Sequence, residues 1–270
     1  GTGRGRVTDA IALASRRTGM DFGYLLGQAK IESSLNPNAR AATSSATGLY
    51  QFIDQSWLAV VNQHGSEYGL GWASDAIQQG ANGRYYVADP NLRQQILDLR
   101  NHPETASVMA AEHAADNKAY LESQTGREAE PVDLYLAHFL GAGGAAKFLQ
   151  AYGGNPGASA ASLFPSAARA NPSIFYDRSG NPRSLAEIRQ NFAAKLERGV
   201  QSALGQTGGS GWAAAASAGN DMPLTQTVQP ADYVRIETER LQQTISEDDL
   251  VRPQPATARL AYLMLATFGR

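Results

Sequence analysis

Between residues 29 and 52 the chain gathers the side chains best suited to moving a proton. They run Ala29-Lys30-Ile31-Glu32-Ser33-Ser34-Leu35-Asn36-Pro37, then Ala46-Thr47-Gly48-Leu49-Tyr50-Gln51-Phe52. Glu32 closes an apolar segment that Pro37 stops a few residues later. A carboxyl at a helix C-terminus feels the negative end of the helix dipole, which disfavours its ionised form. Apolar neighbours such as Leu35 and Tyr50 add desolvation in the same direction. These conditions suit a carboxylic acid that stays protonated near neutral pH and acts as a general acid. Taken alone, Glu32 reads better as a solvated glutamate at a helix end, so its surroundings must decide.

Other chemistries find less support. The absence of cysteine removes a disulfide framework, a thiolate metal site and a cysteine nucleophile. The four histidines, His64, His102, His113 and His138, form neither HExxH nor HxxEH; Glu112-His113 has Met109 where the second pattern needs its first histidine. No metal and no cofactor are therefore expected. No serine sits in a G-x-S-x-G elbow. Gly141-Ala142-Gly143-Gly144 follows a predicted helix and lacks both the third glycine of a dinucleotide fingerprint and a P-loop lysine, so it reads as a turn between packed helices.

The elements that must hold Glu32 are helical. The chain contains 45 Ala and 25 Leu against 10 Val and 9 Ile, a balance that favours helices over strands. Residues 8–17 read as a short helix closed by Gly19. Asp21 supplies the N-cap of a second, whose Phe22, Leu25, Leu26 and Ala29 recur at helical spacing and which ends near Ser34, ahead of Asn36-Pro37. Residues 40–48 form a Ser/Thr/Ala/Gly loop, and Asp54 caps the next helix. Residues 65–83, rich in glycine, are expected to be irregular. Helices follow at 91–100, 104–122 and 132–140, the last with Pro131 in its first turn, and a short one at 144–152. Residues 155–182, with Pro156, Pro165, Pro172 and Pro182, read as a long connection. A helix over 184–198 opens with the capping-box pair Ser184 and Glu187.

Composition changes sharply after that helix. Residues 205–220, GQTGGSGWAAAASAGN, resemble a flexible linker. The expected organisation is one helical domain over 1–204, a linker over 205–222 and a tail over 223–270 with helical stretches at 231–245 and 258–268. A net charge of −2 gives no electrostatic reason to expect nucleic acid or an anionic membrane as partner. No apolar run approaches the ~20 residues of a membrane span; the best, 260–268, is far too short. The chain opens Gly1-Thr2-Gly3-Arg4 with no signal pattern, as removal of a leader or trimming of a longer product would leave it.

Glu32-Ser33, Asn36-Pro37, a small-residue loop and then Gly48-Leu49-Tyr50-Gln51 resemble the lytic transglycosylases with the soluble-transglycosylase type of lysozyme-like domain. Their pattern is Glu-Ser, then Gly-Leu-Met-Gln, then Ala-Tyr-Asn-x-Gly. The first two motifs match in order and separation, with Tyr50 replacing Met. In the third, Ala137-His138-Phe139-Leu140-Gly141 keeps Ala and Gly and loses Tyr-Asn. The resemblance spans roughly residues 21–153 and implies an all-α, lysozyme-like fold.

It also implies a reaction. Such enzymes cleave the β-1,4 bond between N-acetylmuramic acid and N-acetylglucosamine in peptidoglycan as glycosidic-bond lyases. Most glycosidases use two carboxylates; in this family one glutamate, here Glu32, serves both proton transfers and the product is a 1,6-anhydro ring. Ser33 would hydrogen-bond near the acid or the substrate N-acetyl group, or cap the helix. Gln51 would bind sugar or support Glu32, or be a satisfied loop residue. Gly48 would allow close approach to the sugar or make the turn, and Tyr50 belongs to the same wall. His138 replaces the lost tyrosine or is a core histidine; Tyr135, one turn earlier, is another source of the hydroxyl. Trp57, Tyr68, Trp72, Tyr85 and Tyr86 are aromatic enough to stack on sugars. The expected setting is periplasmic or cell-envelope, with glycan strands as substrate and the tail available to a protein partner.

Two other readings stay open. A muramidase would hydrolyse the same bond and needs a second carboxylate, for which Asp54, Glu67 and Asp75 are nearest in sequence. A non-catalytic glycan-binding or scaffold module of an envelope apparatus would use the tail to dock, though such a module has no need of an intact Glu32-Ser33.

Overall fold

The computed structural model describes residues 3–206, so the tail at 223–270 and all but the first two residues of the linker expected at 205–222 lie outside the described residues. The chain is mainly helical. Helix α1 (Gly3–Thr18) leads to α2 (Phe22–Ser33), then a loop, α3 (Asp54–His64), a 3-10 turn (Gly65–Tyr68) and α4 (Gly71–Ala76). Strands β1 (Gln78–Gln79) and β2 (Tyr85–Tyr86) pair antiparallel and precede α5 (Pro90–Asp98), a 3-10 turn (Leu99–Asn101) and the long α6 (Pro103–Thr125). Helix α7 (Pro131–Gly154), the short α8 (Ala160–Leu163), α9 (Pro165–Ala170) and α10 (Pro172–Phe175), and α11 (Leu185–Gln206) complete the order. The all-α expectation holds at this level.

Helix α2 is the axis of the packing. Asp21 caps it, its carboxylate accepting the Tyr24 amide at 2.7 Å. Residues 24–29 are all buried, with α1 and α11 as the main neighbours and α6 touching as well. The α2–α11 crossing is close because both helices offer glycine there. A Cβ on Gly27 would lie 2.7 Å from Leu196 Cδ1, and one on Gly199 would lie 3.1 Å from the Gly27 carbonyl oxygen. Leu25 and Leu26 of α2 and Ile188 and Ala203 of α11 join the same core as Trp57, Met109 and Phe148. Burying each large apolar side chain is worth about 1.5–3 kcal/mol, so α11 is integral to the body that holds Glu32.

Several expectations are corrected. Residues 65–83 are ordered into a 3-10 turn, α4 and β1, with two polar side chains of α3 satisfying backbone groups within this segment and just after it. Asn62 Nδ2 donates to the carbonyls of Ser74 (3.3 Å) and Ile77 (3.1 Å), while the Gln55 amide clasps both backbone groups of Tyr85. Asp54 is the first residue of α3, preceded by Ile53, and it does not cap; its carboxylate pairs with Arg100 at 2.9 Å and Arg93 at 3.2 Å. Residues 155–182 contain three short helices, and Pro165 and Pro172 start two of them, since proline suits a first turn whose amide would be unpaired anyway. The capping box is present, with Ser184 N to Glu187 Oε2 at 2.8 Å and Glu187 N to Ser184 Oγ at 3.1 Å. The helix it opens runs past residue 198 to Gln206.

Candidate active site

Glu32 is the penultimate residue of α2, and the chain leaves that helix by an abrupt reversal. Ser34 (φ 53°) and Leu35 (φ 65°) are left-handed, as is Gln51 (φ 52°) in the second motif. Among the described residues these are the non-glycine positions with positive φ. Each such position costs about 1–3 kcal/mol and persists where the surroundings over-determine it. Here the reversal drives Leu35 into the core, 6 % exposed. The Ser33 hydroxyl sits 3.0 Å from the Ala29 carbonyl and 2.8 Å from the Leu49 carbonyl. Ser33 therefore ties the loop of the second motif to the end of the helix that carries Glu32.

The Glu32 side chain is 8 % exposed, and its Oε1 lies 2.8 Å from Nε2 of His138. On the other side of the imidazole, Gln28 Nε2 lies 3.3 Å from Nδ1. Gln28 and Glu32 are four residues apart on one face of α2, so the helix clasps the ring between two of its own side chains. An amide N–H donated to Nδ1 leaves the ring proton on Nε2, aimed at the Glu32 carboxylate. His138 is brought there by the first part of α7, which breaks at Gly141 (φ 83°, ψ 162°), one turn later. The separate helices expected at 132–140 and 144–152 meet at that one-residue break, where the sequence reading had placed a turn.

Tyr24 and Tyr135 lie within the electrostatic reach of the same carboxyl. Burial pushes both hydroxyls well above the ordinary tyrosine range, and the Glu32 charge adds to it. Both stay protonated as neutral hydroxyls. Tyr135 packs edge-on against Phe192 of α11, with ring centroids 5.2 Å apart, and lies 6.1 Å from the His138 ring. A cavity of ≈ 20 Å³ shares Tyr24, Gln28 and His138 with the site and is lined as well by Tyr50, His113 and Asn117, among others.

The second motif serves the architecture. Gly48 has φ 85°, and a Cβ there would fall 2.1 Å from the Arg100 carbonyl oxygen, so this position makes the turn and admits a backbone neighbour. Tyr50 is 3 % exposed, and its hydroxyl donates to the Leu25 carbonyl at 2.9 Å. Gln51 is fully buried, and its amide donates to the carbonyls of Gly48 (2.8 Å) and Ala39 (3.2 Å). Tyr50 and Gln51 are thus turned inward, in supporting positions. Beside the loop, Arg40, Ser44, Ser45, Thr47, Arg93 and Asn101 contribute to a polar groove of ≈ 280 Å³.

Of the aromatic candidates, Trp57 is entirely buried, its Nε1 donating to the Ile96 carbonyl at 2.8 Å. Trp72 and Tyr86 are exposed. Gln28 and Tyr24 belong to no motif; the one sign of Gln28 is a polar residue one turn before Glu32, after the apolar run of residues 24–27. No protein-family model matches the chain.

Proposed function

We propose that this chain is a peptidoglycan lytic transglycosylase with a lysozyme-like helical domain and Glu32 as its single acid and base. The observation that carries the reading is the Glu32 carboxyl, largely buried at a helix end and held on one oxygen by His138. That arrangement leaves Oε2 for the substrate while Oε1 accepts from the imidazole.

In the first step the proton on Oε2 passes to the glycosidic oxygen as the C1–O bond breaks. The substrate's N-acetyl oxygen assists from the ring and closes on C1. The carboxylate left behind is stabilised by the His138 N–H, a donor placed before the charge develops. In the second step Oε2 takes the proton of the muramic C6 hydroxyl, whose oxygen attacks C1 and expels the N-acetyl oxygen. Glu32 is protonated again, a 1,6-anhydro ring has formed, and no water has been consumed.

The surroundings of the acidic groups favour this over hydrolysis. A muramidase needs a second carboxylate across the cleft, yet of the three nearest in sequence Asp54 is committed to Arg93 and Arg100, Glu67 lies beside His64, and Asp75 is exposed on α4. The substrate class would place the protein in the bacterial envelope, which requires export. No helix among the described residues is long and apolar enough to cross a membrane.

The test is digestion of purified peptidoglycan followed by mass analysis of the soluble fragments. Anhydro ends, one water lighter than reducing ends, are the expected result. Reducing ends would make the protein a muramidase, and no soluble fragments would leave it a binding or scaffold module.

A further inference from the structure

Where α3 ends, three elements bring ligating side chains together away from Glu32. His64 closes α3, Glu67 sits in the 3-10 turn that follows, and Glu112 comes from the middle of α6. One ligand atom from each lies within 4.8 Å of the others. His64 is 9 % exposed, and its Nδ1 is fully buried and makes no hydrogen bond. That nitrogen faces Glu112 Oε2 at 3.5 Å and Glu67 Oε1 at 3.8 Å, both beyond normal hydrogen-bond length. Its other nitrogen, Nε2, lies 2.8 Å from Asp116 Oδ2. A proton on Nε2, donated to that carboxylate, leaves the Nδ1 lone pair bare. A lone pair directed at two carboxylates is repulsive until a positive charge stands among them.

The geometry points to a zinc-type divalent metal site formed by His64 Nδ1, Glu112 Oε2 and Glu67 Oε1. Zinc bonds of about 2.0–2.1 Å in a tetrahedral arrangement separate ligand atoms by roughly 3.3–3.5 Å. The His64–Glu112 spacing already meets that, and the Glu67 side chain, 62 % exposed with its carboxylate oxygen 3.8 Å from His64 Nδ1 and within 4.8 Å of the Glu112 ligand atom, can swing into bonding range. One imidazole and two carboxylates suit zinc and balance its charge. The supporting contacts are those of a metal centre: Asp116 orients the histidine, and the Tyr68 hydroxyl donates to the other oxygen of Glu112. Arg17 stacks over the Tyr68 ring, 4.4 Å from its centroid, and holds that donor in place. The metal would fasten the 3-10 turn to α6. No local motif announces the site, because its ligands come from separate elements, and the sequence expectation of no metal does not anticipate it.

The test uses the full chain, stripped with a chelator and titrated with Zn²⁺ by calorimetry and with Co²⁺ by visible absorption. One ion per chain and the absorption of a tetrahedral nitrogen–oxygen cobalt site are expected, with a rise in Tm on zinc addition. Asp116→Asn, which keeps every ligand, should weaken zinc by about 10–100-fold. His64→Ala should abolish the cobalt spectrum, and Glu67→Ala, at an exposed position that preserves the fold, should weaken binding as well. Absence of saturable zinc binding, or binding unchanged in both Glu67→Ala and Asp116→Asn, overturns the site. In the first case the cluster is a polar contact between α3, the 3-10 turn and α6. Because metal binding is read directly, the outcome is independent of whether peptidoglycan is cleaved.

Discussion

His138 Nε2 lies 2.8 Å from Glu32 Oε1, across 106 positions of sequence, and Gln28 holds the far side of the same ring from one turn before Glu32. The proposed acid is therefore positioned by its own helix as well as by α7. In the reading advanced above, the imidazole is in place before the carboxylate charge appears.

Glu32→Gln should remove turnover while leaving the fold intact. The amide is isosteric and still accepts from His138, but it has no proton to exchange with the leaving oxygen. The loss should be at least about 10²–10⁴-fold, the usual worth of a positioned acid–base group. Muropeptide release and the circular dichroism melt measure the two halves of this expectation, and surviving activity would sink the assignment.

His138→Phe should lower kcat on the order of 10²-fold by deleting a preplaced donor, with little change in KM. It should also cost about 1–3 kcal/mol of stability, because a buried carboxyl loses its partner. Gln28→Ala should act more gently, about 1 kcal/mol or roughly fivefold in kcat, through the orientation of the ring. A histidine that merely filled the core would show the stability loss in urea unfolding without the larger effect on kcat.

Gly48→Ala should destabilise the second-motif loop. The residue would combine a positive φ, about 1–3 kcal/mol for a non-glycine position, with a methyl group placed 2.1 Å from the Arg100 carbonyl oxygen. Urea denaturation reads the loss; a neutral result would mean that the loop does not pack on Arg100 as described.

A chain ending at residue 206 should cleave isolated peptidoglycan at the full-length rate, whereas one ending at 184 should fail to fold. The second truncation strips Phe192, Leu196 and Val200 from the core. At about 1.5–3 kcal/mol each, these represent much of the ~5–15 kcal/mol that holds a domain together. Soluble expression and cleavage assays on both truncations provide the comparison.

Alkaline pH should unfold the protein through its buried tyrosines. The hydroxyls of Tyr24, Tyr50 and Tyr135 are raised by burial from an ordinary value of 10.0. A group raised in the folded state contributes its full stability below the unfolded value, and that contribution is lost as pH climbs beyond it. Stability measured by urea unfolding should hold to about pH 10 and fall steeply above. Tyr135→Phe should flatten the fall, and an unchanged slope would mean that Tyr135 ionises without unfolding.

Much of this protein is local in origin. Asp21, the Ser184–Glu187 pair and Pro131 act within a turn of their own position, so the ends they cap could be read directly from residue type. The helix that presents Glu32 belongs to the same class, whereas the left-handed reversal at Ser34 and Leu35 that ends it is held by the burial of Leu35. Where a segment depends on distant side chains, local reading fell short. Residues 65–83 look irregular until Asn62 supplies partners for the Ser74 and Ile77 carbonyls and Gln55 fixes Tyr85 just beyond them. The prolines of 155–182 read as breaks although two of them start helices.

Residue type and spacing carry helix propensity and short motifs, so the helical class, Glu32, Ser33 and the Gly48–Gln51 segment are legible along the chain. That His138 and Gln28 hold the carboxyl, and that Tyr50 and Gln51 face inward, follows from tertiary packing. That packing also brings Glu112 to the His64–Glu67 pair. Such meetings depend on how α2, α3, α6 and α7 cross, which is set by packing over the whole core and leaves no trace in the spacing of any one segment.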